Sequence, residues 1–420
     1  MVTPSFFRPL TAEFSELGDA QSQELVTIVA ADGAKSRGVL YLPAGRRPRA
    51  VSVFTHPSAD LLQYWTTLDW LDRGFAVFTY TTRYVNNYTD CSHELLVLDV
   101  GGVMRFLRDR GFEHVILFGK SGGGSLLAYY QAQASLPKGE RVSSSPWGGG
   151  PDLNEVELPA ADGLILLAAH PGQGAFLERI VDPSVIDEAN PIAADWRLDM
   201  YDERNGWRRP PESSSYDPEW LARYRAAQSE RVGRLDAVAF DRIESARLSA
   251  DLLSAAGTGS DSARRQLERQ SQTMEIMVVH RTGANPTYCD LSLEPNDRRL
   301  GSYLSPDAHL HNYGFIGFGR LLTPWAWLST WSGHTSFANL CENLRHIGAP
   351  TFIVGVSADE DIYPSDFERQ SASAAAEDKS YAMIEGVNHA LLPVGGGDAA
   401  STRQHLMEVI TEWSLSRFEP

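Results

Sequence analysis

The sequence predicts an α/β fold: a mostly parallel central sheet flanked by helices, with an inserted, mainly helical cap. Three observations carry this. Short apolar runs alternate with helical periodicity over residues 24–134 and again over 350–416, and strands that alternate with helices form parallel β-α-β units. The runs are apolar at successive positions, as in Val115-Ile-Leu-Phe118 and Gly163-Leu-Ile-Leu-Leu-Ala-Ala169, the pattern of strands buried on both faces. Between about 171 and 345 the alternation stops. Residues 1–170 and 346–420 are therefore expected to form one core domain, and 171–345 an inserted cap domain.

Taken in order, Gln23–Ala31 and Gly38–Pro43 read as a strand pair turning at Asp32-Gly33. Ala50–Thr55 is a buried strand, Leu61–Asp72 a helix ending at Gly74, and Phe75–Tyr80 the next strand. From Ser92 to Arg110, Leu96, Val100, Val103 and Leu107 recur at helical spacing. His114–Phe118 is a strand, followed by a helix from Gly122 to about Gln133. Residues 135–160, rich in Ser, Pro and Gly, read as a loop, and Gly163–Ala169 is again a strand. Asp217-Pro218 supplies a cap and a first-turn proline for a helix running toward Ala256. Its charged residues, including the Arg231–Arg242 run, suggest a solvated helix that packs one face. A shorter helix covers Ser262–Ser271. The alternation resumes with a strand at 351–355, a helix near 364–376, a strand at 380–384 and a closing helix from Ser401 to Leu415.

The composition limits the function. Of 420 residues, 43% are hydrophobic and 22% charged, which suits a packed globular chain and excludes disordered, collagen-like and coiled-coil classes. Lys plus Arg is 37 against 54 for Asp plus Glu, a net charge of −17. Nucleic acid and anionic membranes repel such a surface. The expected partner is a small-molecule substrate, with a homodimer left open. Cys91, Cys289 and Cys341 are odd in number and widely spaced, which argues against a disulfide framework or a structural zinc. Met1–Leu10 lacks a signal-peptide pattern. No apolar run approaches the ~20 residues needed to span a bilayer, so a cytoplasmic protein is expected.

One segment carries chemistry: Val115-Ile-Leu-Phe-Gly119-Lys120-Ser121-Gly122-Gly123-Gly124-Ser125. It sets a Gly-x-Ser-x-Gly between an apolar strand and a helix, the arrangement of a nucleophile elbow. A Cβ at either motif glycine would collide with a neighbouring strand or helix. The helix N-terminus after Ser121 favours developing negative charge. Gly119-Lys120-Ser121 also invites a phosphate-loop reading, but that motif needs glycine where His114 stands.

With these residues the chain resembles the α/β-hydrolase fold superfamily, specifically serine hydrolases with a large helical cap inserted before the last sheet strands. The resemblance implies a triad in the order serine, acid, histidine. Ser121 is the implied nucleophile. His389, in Gly386-Val-Asn-His-Ala390 after the penultimate strand, is the implied base. The loop Ala358-Asp359-Glu360-Asp361 holds the acid. Asp359 is favoured because it directly follows the strand, with Asp361 as the alternative. Two backbone N–H groups should form an oxyanion hole, one from Gly122 and one from the loop His56-Pro57-Ser58. Relatives often carry His-Gly at this point; Pro57 has no N–H, which moves the donor to Ser58 or Ala59. His56 reads as a loop-ordering residue. His56, Lys120 and His170 are candidate substrate contacts, and Arg83 shares the ambiguity of Lys120. In the aromatic segment 303–331, with Tyr303, Phe315, Phe318 and Trp325, the candidates are Tyr313, Trp327 and Trp331. That segment forms either an apolar chamber or cap core.

The function expected is serine-dependent hydrolysis of a carbonyl substrate through an acyl-enzyme, with a carboxylic ester carrying a bulky or aromatic group first in line. No metal or organic cofactor is called for. A thioester, lactone, amide, or carbon–carbon bond beside a ketone, as in a β-diketone, uses the same residues. Dehalogenase and epoxide-hydrolase relatives carry Asp at the position of Ser121. The rival class is a non-catalytic ligand-binding protein on the same scaffold.

Overall fold

The computed structural model describes residues 17–18, 21–45, 47–255, 261–301, 308–314 and 317–420. Met1–Leu10, Tyr303 and Phe315 lie outside the described residues, as does Ala256 at the end of the expected long helix.

Eight strands form the sheet: β1 (Ser22–Val29), β2 (Lys35–Leu42), β3 (Ala50–Phe54), β4 (Ala76–Thr81), β5 (His114–Lys120), β6 (Gly163–Leu167), β9 (Thr351–Val356) and β10 (Lys379–Ile384). β7 (Met277–Val278) and β8 (Leu321–Leu322) pair separately. The sheet order is β1-β2-β4-β3-β5-β6-β9-β10. β1 and β2 run antiparallel to each other, β2 runs antiparallel to β4, and every later pairing is parallel.

Helices cover both faces of the sheet, and the strand sequences explain why. Val115 and Leu117 of β5 join a cluster with Leu96 and Val100 of α2 (His93–Asp109) and Leu126 and Leu127 of α3 (Gly122–Ser135). Ile116 and Phe118, pointing the other way, join Trp70 and Leu71 of α1 (Thr67–Leu71) and Leu406 and Ile410 of the last helix, α11 (Ala399–Leu415). A strand apolar on both faces needs cover on both faces.

The first helix is shorter than its sequence pattern suggests. Tyr41 and Thr79 hydroxyls both donate to the Leu62 carbonyl, at 2.8 Å each. Asp60 accepts from the Leu62 N–H at 3.0 Å. These side chains hold 60–66 as a loop over the sheet end, in competition with helical hydrogen bonds.

Between β6 and β9 lie α4 (Gln173–Ile180), α5 (Pro218–Ala255), α6 (Asp261–Gln272), α7 (Ala308–Tyr313), α8 (Pro324–Ala326), a π-helical turn at Trp327–Trp331 and α9 (Leu340–Leu344). This insertion has its own apolar cluster, with Phe176, Leu177, Trp220, Tyr224, Val232, Trp327 and Trp331 among its members. Leu340 and Leu344 of α9 instead join the sheet's cluster. α10 (Pro364–Ser373) follows β9. Among the described residues no helix is long and apolar enough to cross a membrane. The three cysteines are free thiols, Cys91 and Cys289 buried and Cys341 half-buried.

The long helix α5 corrects one expectation. Arg231 is not solvated but fully buried. It donates to both Glu188 carboxylate oxygens at 2.8 and 2.7 Å and to the carbonyls of Asp182 and His280 at 2.7 and 3.0 Å. A buried cation is tolerated only when so many acceptors replace water. Arg231→Ala strands these acceptors and is expected to cost about 3 kcal/mol or more of stability. The midpoint of urea unfolding measures this, and an unchanged midpoint contradicts the role.

Candidate functional site

The site is built on the turn from β5 into α3. Ser121 has φ 52° and ψ −126°, a conformation that costs a non-glycine residue about 1–3 kcal/mol. Its N–H donates to the Leu167 carbonyl of β6 at 3.1 Å, and its carbonyl accepts from the Gly124 N–H at 3.0 Å. A Cβ on Gly119 would stand 2.5 Å from Gly124 Cα, and one on Gly123 would stand 2.3 Å from the Thr55 carbonyl oxygen. The motif glycines let strand, turn and helix close to this distance. Gly122 is the first residue of α3, so its N–H has no acceptor within the helix.

Ser121 Oγ lies 3.0 Å from His389 Nε2, and His389 Nδ1 lies 2.9 Å from Asp359 Oδ2. A fully buried carboxylate at Nδ1 fixes the proton there, which leaves Nε2 to accept from the serine hydroxyl. Asp359 Oδ1 is held by the N–H groups of Asp361 and Ile362 at 2.8 and 2.9 Å. The His389 N–H donates to Glu360 at 3.1 Å. The loop after β9 thus orients the acid, and the acid orients the imidazole on the loop after β10.

A sheet in this strand order carries a strained serine after β5, an acid after β9 and a histidine after β10. The chain has the α/β-hydrolase fold. No family model and no curated protein matches its sequence. Among solved structures, the α/β-hydrolase-fold chain is similar to the esterase domain of a Rhodothermus marinus protein, with 12% identity, coverage of 94% of this chain and 98% of that one, and a TM-score of 0.43. An α/β hydrolase, GrgF, from Penicillium sp. sh18 gives 14%, 92% and 97%, with a TM-score of 0.46. DcsB, solved with a substrate analogue, gives 12%, 94% and 99%, with a TM-score of 0.47. Strand order and the serine turn, rather than these distant likenesses, define the fold here.

The structure separates the two candidate acids. Asp359 touches His389. Asp361 offers Asp359 its backbone N–H, while its own side chain makes no hydrogen bond with the His389 ring among the described residues. Burial and the neighbouring Asp359 and Glu360 carboxylates push the Asp361 carboxyl well above the usual range. Asp359, Asp361 and His389 do place ligand-type atoms within 4.8 Å of one another, a grouping that the Asp359–His389 hydrogen bond accounts for.

The Ser58 expectation needs correction. Its N–H points at His56 Nδ1, at 3.3 Å, and the Ala59 N–H does the same at 3.1 Å. Both N–H groups are thus engaged by the imidazole rather than left for a substrate oxygen. His56 orders this loop, and His170 does likewise for its own, accepting the Gly172 N–H at 3.0 Å. Burial pushes both imidazoles down to about 3.

The remaining candidates scatter. Lys120 is half-buried beside Asp359, Asp361 and Glu360, and burial lowers its pKa. Arg83 bonds Asp99 at 2.9 and 2.7 Å and Asp32 at 2.5 and 2.9 Å, tying β4 to the β1–β2 turn. Trp327 belongs to the insertion's core, fully buried, its Nε1 donating to Asp236 at 2.7 Å. The Tyr313 hydroxyl accepts from Arg281 at 2.6 Å. Trp331 also leads back to the site: its ring stands 5.2 Å from that of Tyr88, which stands 6.2 Å from His56. The sequence reading missed Tyr88 and Gln173. Gln173 lies three residues after the candidate His170, whereas nothing in the sequence marked Tyr88.

A second serine–histidine–aspartate chain went unnoticed. Ser229 Oγ is 2.8 Å from His334 Nε2, and His334 Nδ1 is 3.1 Å from Asp236 Oδ2. Ser229 and Asp236 lie two turns apart within α5, where backbone N–H groups are engaged in the helix. Asp236 also accepts from Trp327, so this chain ties α5 to the π-helical turn.

Histidine burial has a pH consequence. His56, His93, His170 and His311 are held at about 3, 4, 3 and 4, mainly by burial, against about 6.5 in an unfolded chain. Between these values the unfolded chain binds protons that the native chain does not, so this contribution to stability falls as pH drops below 6.5. His170→Asn removes one such group. The stability gap between wild type and this variant should shift in the variant's favour from pH 7 to pH 4 in paired unfolding curves. A gap independent of pH contradicts the assignment.

Proposed function

We propose that the protein is a serine hydrolase that acts on a carbonyl substrate through an acyl-enzyme. The observation that supports this most is the unbroken chain Ser121 Oγ–His389 Nε2 and His389 Nδ1–Asp359, at 3.0 and 2.9 Å. In the proposed reaction Oγ bonds to the carbonyl carbon while His389 Nε2 takes its proton, and the carbonyl π pair moves onto oxygen. The Gly122 N–H and the positive end of α3 meet that charge. Collapse re-forms the carbonyl and expels the leaving group, which takes the proton from His389. Water then repeats the two steps and frees Ser121.

A carboxylic ester with a bulky or aromatic group is the proposed substrate. The ring series Trp331–Tyr88–His56 supports an aromatic wall beside the nucleophile, whereas Trp327 contributes only cap core. The −17 net charge supports a small molecule rather than nucleic acid or an anionic membrane as partner.

A fluorophosphonate probe is expected to place one label on the wild-type protein, none on Ser121→Ala and one on Ser229→Ala. Absence of label from the wild type, or its persistence in Ser121→Ala, contradicts the proposal. Asp359→Asn should lower kcat on a p-nitrophenyl ester by about 10⁴-fold, the scale for an imidazole held in the wrong tautomer; a loss under tenfold would remove Asp359 from the mechanism. Labelling without turnover of any ester would move the substrate to a β-diketone, and a panel of these decides it.

A further inference from the structure

Ser58 leaves the oxyanion with a single backbone donor, and the side chains beside Ser121 suggest what replaces the second. His56 follows β3 and His170 follows β6, both at the carboxyl end of the sheet. In each ring Nδ1 accepts backbone N–H: Ser58 and Ala59 on His56, Gly172 on His170. A ring nitrogen that accepts carries no proton, so each neutral ring holds its proton on Nε2. The loops thereby turn two histidines into fixed N–H donors.

Both Nε2 atoms border one place. A Cβ built on Gly122 would stand 3.1 Å from His56 Nε2 and 3.0 Å from His170 Nε2. It would also stand 2.9 Å from Gln173 Nε2, a buried amide nitrogen without a hydrogen-bond partner among the described residues. Three side-chain nitrogens therefore surround the residue next to the nucleophile, on the residue whose own N–H is free at the helix start. His389 is close enough that its charge would repel one on either ring. A cluster of donors without acceptors suits an oxygen carrying negative charge. It also explains glycine at 122, where any Cβ would fill the cradle.

We propose that the Nε2–H groups of His56 and His170, together with the Gly122 N–H, form the oxyanion-binding site, in place of the Ser58 backbone N–H. This rests on the serine-hydrolase reading above. As Oγ attacks, the electron pair leaving the carbonyl π bond settles on an oxygen that these donors face. Neither imidazole gives up its proton; each only strengthens its hydrogen bond as charge develops. His56 and His170 are thus catalytic residues of a different kind from His389: donors rather than bases.

The test uses substitutions that keep the loops and remove the donors. In His56→Asn and His170→Asn, the amide oxygen stands near the old Nδ1 and accepts the same backbone N–H groups, but nothing reaches the position of Nε2. Each variant is expected to lose about 10²-fold in kcat on a p-nitrophenyl ester, with KM little changed. Fluorophosphonate labelling should reach the same single label more slowly. His170→Gln returns an N–H near the old Nε2 and should recover part of the loss. Asn variants within threefold of wild-type kcat, or a loss confined to KM, overturn the proposal while leaving Ser121 as nucleophile. A wild-type protein that takes no label contradicts the underlying serine-hydrolase reading instead. If His56→Asn does not fold, His170→Asn decides alone.

Discussion

The site depends on one close approach. β5 enters α3 through a residue at positive φ, and the turn survives because glycines at 119 and 123 let backbone meet backbone at distances no side chain allows. The strain at Ser121 is balanced by two backbone hydrogen bonds, one reaching across to β6. Those contacts place Oγ at the sheet's carboxyl end, where the loops after β3, β6, β9 and β10 converge. Packing on both faces of β5 makes the base rigid, since Ile116 and Phe118 are as deeply buried as Val115 and Leu117. A serine held this way needs no motion to meet its histidine.

Much of this was legible in the sequence, because the relevant signals are local. Alternating apolar runs and helical spacing found the strands and helices. Gly-x-Ser-x-Gly marked the turn because only close backbone packing demands glycine at both places. Asp359 and His389 were readable by their positions just past apolar strands. What failed was long-range. The Leu61–Asp72 pattern gave way to a loop because Tyr41 and Thr79, from other strands, bind the Leu62 carbonyl. Arg231 lay in a charged run and read as solvated. Its acceptors come from residues 43 to 49 positions away.

The same limit explains the oxyanion loop. The absence of an N–H on Pro57 was visible, and shifting the donor to Ser58 was the natural consequence. That the His56 side chain would fold back into its own turn depends on rotamer and burial, which no spacing rule contains. The aromatic segment divided similarly: Trp327 is held in the insertion's core by Asp236, whereas Trp331 reaches Tyr88 near the site. A Ser–His–Asp hydrogen-bond chain also proves insufficient as a signature by itself. Ser229, His334 and Asp236 satisfy the distances, but Ser229 sits inside α5, without the positive φ of Ser121 and among backbone N–H groups engaged in the helix.

The central claim is that the Ser121 hydroxyl becomes covalently bonded to the acyl group of a substrate. Peptide mass spectrometry after rapid acid quenching with a slowly hydrolysed ester tests it directly. The account predicts an added acyl mass on the peptide containing Ser121, lost in His389→Ala. An unmodified Ser121 peptide during turnover, or an acyl group on Ser229 instead, would contradict it.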